Sequence, residues 1–254
     1  MLLALDIGNT NTTIGVFKDS KLIMDFRLTT NINQTMDEYG ILVRNLLSLQ
    51  GIDYREVKNI IVSCVVPPLD EIIYFMSLNY FKIKPLFVKP GIKTGLALNV
   101  ENPAEVGADR IVDCVAAINK YKPPLIVVDF GTATTFDAIN EKNEFLGGAI
   151  APGLKISAFS LFEKAAKLPE VEIRKPKQAI GRNTVTNIQS GLFFGYVGLV
   201  KEVLKRMLEE LPGAKVVATG GLARVIAKEC KLIGVIDDKL TLEGLRILFE
   251  KNKD

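Results

Sequence analysis

Residues 1–13 read MLLALDIGNTNTT, and residues 125–136 read LIVVDFGTATTF. Each is an apolar run that ends in Asp, followed by one apolar residue, a Gly and a cluster of hydroxyl and amide side chains. Runs of this kind, rich in Leu, Ile and Val, read as strands buried on both faces. A glycine just past the strand lets the backbone approach a ligand, and the amides and hydroxyls beyond it can hold phosphate oxygens. One copy alone would pass for an ordinary strand-end turn. Asp6 and Asp129 lie 123 residues apart, so the question is whether their surroundings repeat as well.

They do. LLALD is followed by TTIGVF, the turn KDSK and LIMDFRL, a strand and hairpin series. TMDEYGILVRNLLSLQG then has helical periodicity, Thr35 and Glu38 at capping-box spacing, and Gly51 as a stop signal. KNIIVSCVV reads as a strand ended by Pro67-Pro68, with a helix over 69–81 and a short strand at PLFV after it. VGADRIVDCVAAINKY is an amphipathic helix leading into the second motif. There the order resumes: PLIVVDFG, TTFDAIN, the turn EKNE, FLGGAIAPG, and a helix from Leu154. A long helix from Thr184 to Leu211, the strand KVVATGG, a helix through Cys230 and a last helix at TLEGLRILFEKN complete the chain. The fold class is α/β in two duplicated halves, 1–117 and 118–254, with the boundary near 115–123. Each half contributes one Asp-Gly turn to an expected cleft.

Composition narrows the chemistry. The chain has 254 residues and a net charge of only +3, with its longest basic cluster, RKPK, at 174–177, so no nucleic-acid partner is expected. The longest apolar stretch, GLFFGYVGLV at 191–200, falls short of the roughly 20 residues a membrane span needs, and no signal-peptide pattern opens the chain. A cytoplasmic protein without a membrane partner is expected. Cys64, Cys114 and Cys230 are far apart in apolar contexts and read as reduced, buried thiols. There is no histidine at all. Ser-His-Asp and Cys-His catalysis are therefore excluded, and any general base is Asp, Glu, Lys, Tyr or Cys.

No P-loop GxxxxGK[ST] and no GxGxxG is present, so phosphate binding falls to the Asp-Gly turns. Mg²⁺ typically takes one or two carboxylates together with substrate phosphates. In this reading Asp6 lies near the metal, Asn9, Thr10 and Thr12 donate to phosphate, and DFGTATT approaches the same phosphates from the other side. ATGGLA at 218–223, a strand, Gly-Gly and a helix, offers bare backbone to an adenine ring. In NPAEVGADRIVD, Gly107, Ala108, Asp109 and Arg110 open a helix, where amides favour anions and Arg110 adds a planar fork for a carboxylate or phosphate. Asp109 could take a proton from an attacking hydroxyl. An Asp in a first helical turn also stabilises the helix, and both roles stand at this point.

The ordered set of two Asp-Gly-Thr turns and a late Gly-Gly resembles the superfamily of actin, hexokinase and acetate kinase. That resemblance implies ribonuclease H-like, actin-like ATPase domains with mixed sheets flanked by helices and a nucleotide cleft between them. DIGNTNT, NPAEVGADR, DFGTATTFD, GGAIAPG, GRNTVTNIQSG and TGG further resemble, in order and spacing, type III pantothenate kinase. This closer resemblance implies phosphorylation of pantothenate by ATP to 4'-phosphopantothenate, the first step of coenzyme A synthesis. It assigns Asp6, Ile7, Gly8, Asn9, Thr10, Asn11, Thr12, Thr13 and Thr132 to ATP and Asp109 to proton acceptance. Gly107, Ala108, Asp109, Arg110 and Thr184 go to pantothenate, and Asp129 to an activating K⁺ or NH₄⁺ ion, with Mg²⁺ held at Asp6 through water. Val100 stands where many members carry a tyrosine at the pantothenate site. A homodimer is also implied, for which Gly191, Gly195 and Gly198 would allow close helix approach; the alternative is a helix buried within its own domain. Two other functions remain open: a kinase for another small hydroxy acid, and a nucleotide-sensing regulatory protein of the same fold.

Overall fold

The computed structural model describes residues 1–165 and 167–253. The chain divides into two units, Met1–Ala97 with Glu101–Lys120 and Lys239–Asp254, and Leu98–Val100 with Tyr121–Asp238.

The first unit is built on the sheet β3-β2-β1-β4-β5, from β1 (Leu2–Ile7), β2 (Asn11–Lys18), β3 (Lys21–Thr29), β4 (Asn59–Cys64) and β5 (Leu86–Phe87). β1 pairs antiparallel with β2 and parallel with β4. It is buried on both faces, which is why it reads as an unbroken apolar run. β3, at the edge, alternates between exposed and half-buried residues. One face of the sheet places Leu3, Leu5, Ile7, Ile14 and Val16 against α1 (Met36–Leu49) and α2 (Pro68–Met76). The expected capping box closes α1: Glu38 N donates to Thr35 Oγ1 at 3.3 Å, and Thr35 N donates to Glu38 Oε2 at 2.7 Å.

The other face carries α3 (Ala108–Lys120) and α7 (Leu240–Asn252). The sequence assigned 239–254 to the second half; the structure packs α7 with the first. Gly244 makes that packing possible, since a Cβ there would stand 2.2 Å from the Val112 carbonyl oxygen of α3. Leu242 meanwhile lies over Gly15 of β2. A boundary drawn from the repeat could not anticipate a helix that returns.

The second unit repeats the order. Its sheet runs β11-β10-β7-β8-β9-β6, from β6 (Ala97–Leu98), β7 (Leu125–Phe130), β8 (Ala133–Ile139), β9 (Glu144–Pro152), β10 (Lys215–Thr219) and β11 (Val235–Ile236). Without the edge strand β6, this is the first sheet again: two successive antiparallel pairings on one side of the motif strand and two successive parallel ones on the other. Ile126, Val128 and Phe130 pack against α5 (Thr184–Glu210) and α6 (Ala223–Ala227), while α4 (Leu154–Lys164) follows β9. α6 stops before Cys230, earlier than its apolar run suggests, and the chain turns so that Cys230 and Ile233 still enter the core. α5 shows two faces. Phe193, Tyr196, Val197, Val200 and Leu204 are buried in the unit, whereas Gly191, Gly195 and Gly198 are exposed with open space beside them. Among the described residues, no helix is long and apolar enough to cross a membrane.

Candidate active site

In the first unit, β1 delivers Asp6 to its end, and the parallel register of β4 sets Ser63 beside it. Burial pushes the Asp6 carboxyl up to about 7. The negative charge of Asp109 adds to that push, and the Ser63 hydroxyl and Arg27 oppose it. Asp109 sits in the first turn of α3, where its Oδ1 accepts from Arg110 N at 2.8 Å. Burial raises its pKa as well, against the pull of that hydrogen bond and of the Arg110 guanidinium. The charge of Asp109 adds to the cost of ionising buried Asp6, and a cation beside Asp6 would offset that cost. A carboxylate lifted toward neutrality is also better matched to accepting a proton at neutral pH.

The turn from β1 to β2 has four residues, Gly8 to Asn11, between the paired residues Ile7 and Thr12. Gly8 N donates to Asn11 O at 3.1 Å, and Asn9, Thr10 and Asn11 are exposed. Thr12 is different. The sequence cast its hydroxyl as a phosphate donor, but the side chain is fully buried and lies 2.9 Å from Thr30 Oγ1. Strand alternation explains this: Thr13 takes the more open side and Thr12 the interior.

In the second unit, the turn between Phe130 and Thr134 has three residues, Gly131 to Ala133. β10 runs parallel to β7 with Thr219 opposite Asp129, and Gly220 follows at φ +90°. A Cβ at Gly220 would stand 2.5 Å from Asp129 Oδ1 and 2.7 Å from Phe130 N. Only glycine lets the chain turn so closely over the strand. The structure thus brings the Gly-Gly turn and Asp129 together, two features that the sequence presents 91 residues apart. Thr132 is half-buried, Val100 packs over Gly147 of β9, and Thr184 is the exposed first residue of α5, behind its Asn183 cap. The buried Thr134 hydroxyl bonds the Tyr196 hydroxyl of α5.

Among the described residues no group of three metal-ligating side chains occurs. Asp6, with Asp109 nearby, offers carboxylate oxygens of the kind a hard divalent ion takes alongside oxygens of substrate and water.

The profile of the type III pantothenate kinase family matches residues 2–206. The chain belongs to that family. A Geobacter sulfurreducens relative named type III pantothenate kinase is 52% identical over 255 residues, covering all of both chains. Among solved structures, a Campylobacter jejuni protein provisionally described as a Baf family transcriptional activator has a TM-score of 0.62 at 22% identity, over 98% of each chain. MreB 5 of Spiroplasma citri bound to AMPPNP has a TM-score of 0.51 at 12% identity, over 98% of this chain and 96% of its own. These two likenesses establish an actin-like fold.

Within the family frame, three neighbours of the first motif escaped the sequence reading: Ser63, Thr30 and Tyr39. Ser63 has a signal, a lone hydroxyl in an apolar strand. Thr30 and Tyr39 have none, because their importance arises only when β3 and α1 close on the turn.

Proposed function

We propose that the protein is an ATP-dependent pantothenate kinase that forms 4'-phosphopantothenate and ADP, the first step of coenzyme A synthesis, in the cytoplasm. The observation that carries this reading is the family match, over residues 2–206 and at 52% identity over the whole chain, in a chain that sets the carboxylates of Asp6 and Asp109 beside a phosphate-type turn.

Phosphoryl transfer needs positioning and charge neutralisation more than covalent help. Asp109 accepts the proton of the primary hydroxyl of pantothenate as the new O–P bond forms and the bond from the γ-phosphorus to the ADP oxygen breaks. The amides from Gly107 to Arg110 and the Arg110 guanidinium favour the anionic end of pantothenate, with Thr184 as a further contact. The turn from Asp6 to Thr13 receives the ATP phosphates through backbone amides and exposed side chains, and Thr132 contributes from the second motif. Asp6 would hold Mg²⁺, and the ion would supply neutralisation of phosphate charge. Asp129 takes a monovalent cation, K⁺ or NH₄⁺. Val100 offers pantothenate no aromatic contact.

A homodimer accords with the exposed Gly191, Gly195 and Gly198 and with exposed Ile156, Phe159 and Phe162 on α4. Sedimentation of a single-chain mass at micromolar concentration would overturn it.

The function is tested by ADP release from purified protein given Mg-ATP and KCl, with and without pantothenate. Release that depends on pantothenate supports the kinase. ATP binding with no pantothenate-dependent release would favour the nucleotide sensor, and release stimulated only by other hydroxy acids would favour a kinase of different specificity.

A further inference from the structure

We propose that Thr30, just past the end of β3, is a positioning residue that aims the backbone amides of the first turn at phosphate. The inference rests on the proposed role of residues 6–13 as the phosphate site.

Thr30 holds the turn at two points. Its Oγ1 donates to Gly8 O at 2.7 Å, and its N donates to Thr10 O at 3.0 Å. A trans peptide unit points its C=O and N–H in opposite directions. Fixing Gly8 C=O toward Thr30 therefore turns Asn9 N–H away from Thr30, and fixing Thr10 C=O does the same for Asn11 N–H. Both amides belong to exposed residues of the turn.

The hydroxyl bond has a second layer behind it. A threonine hydroxyl has one proton. Thr30 gives its proton to Gly8 O, so the 2.9 Å contact between Thr12 and Thr30 is donated by Thr12. The chain of donors runs Thr12 to Thr30 to Gly8 and ends on the turn carbonyl. Thr12 is fully buried, and the buried Tyr39 hydroxyl faces it and the Asn31 backbone without completing a hydrogen bond to either. The Thr12 hydroxyl is thus committed inward, and the burial that removes it from the phosphate surface makes it part of the support.

The test compares Mg-ATP and adenosine affinity, with the melting temperature, for the wild type, Thr30→Val, Thr30→Ser and Asp6→Asn. Losing the donor to Gly8 O is expected to weaken Mg-ATP binding about tenfold in Thr30→Val, leave adenosine unchanged, and be restored by Thr30→Ser. Mg-ATP affinity within twofold of wild type in Thr30→Val would overturn the inference, and so would an equal loss of ATP and adenosine, which marks a general structural role. Asp6→Asn separates the two claims. If it loses Mg-ATP affinity while Thr30→Val does not, only the Thr30 assignment falls. If neither variant changes it, the phosphate-site reading falls as well.

Discussion

The two Asp-Gly turns begin alike and are finished differently. Between paired residues, the first has four residues and the second three. A fixed offset of 123 residues therefore equates Thr12 with Thr135, whereas the strand pairing equates it with Thr134. Both Thr12 and Thr134 are buried and both bond a hydroxyl, but the partners come from different elements: Thr30 after β3 in one case, Tyr196 of α5 in the other. The first turn is held by hydrogen bonds to its own carbonyls, with a pair of raised carboxylates at its foot. The second is held by close backbone approach, with Gly220 against Asp129 and Phe130. A duplicated scaffold has thus kept its strand order while its two turns diverged in length, support and charge. That divergence suits the proposed division of labour, in which the first turn serves the transferring phosphate and the second a monovalent cation.

The largest difference between the turns should appear in cation dependence. Asp129→Ala is expected to remove potassium stimulation together with most activity, a fall of about a hundredfold, because a buried cation loses its carboxylate. Steady-state rates across a KCl series check this. Activity that stays high and potassium-stimulated would place the cation elsewhere.

Stability comes next. Gly220→Ala combines a φ of +90° with contacts of 2.5 and 2.7 Å, and should cost about 3 kcal/mol. At Gly8 the nearest contact to an added Cβ is Asn11 O at 3.2 Å and φ is not positive, so Gly8→Ala should cost about 1 kcal/mol or less. Urea denaturation of the two variants measures the contrast. Equal losses would show that the second turn is no more tightly packed than the first.

A smaller effect follows from pH. The Asp6 pKa rises from 3.8 to about 7 on folding, so between those values the native chain binds more protons than the unfolded one. The stabilising contribution of protonated Asp6 is therefore fully present below pH 3.8 and declines as pH rises through 7. In metal-free protein, stability against pH should slope downward between about pH 4 and 7 more steeply than in Asp6→Asn. Mg-ATP, which needs the carboxylate, should bind more tightly at pH 8 than at pH 6. Parallel stability profiles for the two proteins would contradict the shift. The smallest effect is at Thr134→Val, which removes the Thr134 hydroxyl from Tyr196 and should cost about 1 kcal/mol, with no change in potassium dependence.

How much of this could be read in the sequence depended on the range of the interaction. Apolar runs, the Thr35–Glu38 cap and the Asp-Gly pattern are local, and they appear where expected. The pairing of Asp6 with Ser63 depends on parallel register across 57 residues, and the Thr134–Tyr196 bond spans 62. Neither has a periodic signature. The return of α7 to the first unit depends on Gly244, one small residue in an ordinary helix pattern. Thr12 shows the subtler limit. Its residue type was informative, but which face of β2 it takes depends on the length of the turn before it.

Asp109, beside the first turn, is the proposed acceptor of the pantothenate hydroxyl proton. This role is tested most directly by following ³¹P NMR of Mg-ATP, KCl and pantothenate with the wild type and with Asp109→Asn, alongside nucleotide affinity for both. The account predicts a new phosphomonoester signal with the wild type, a rate lowered about 10²- to 10⁴-fold in the variant, and unchanged ATP binding. Near-normal phosphomonoester formation by Asp109→Asn would contradict it.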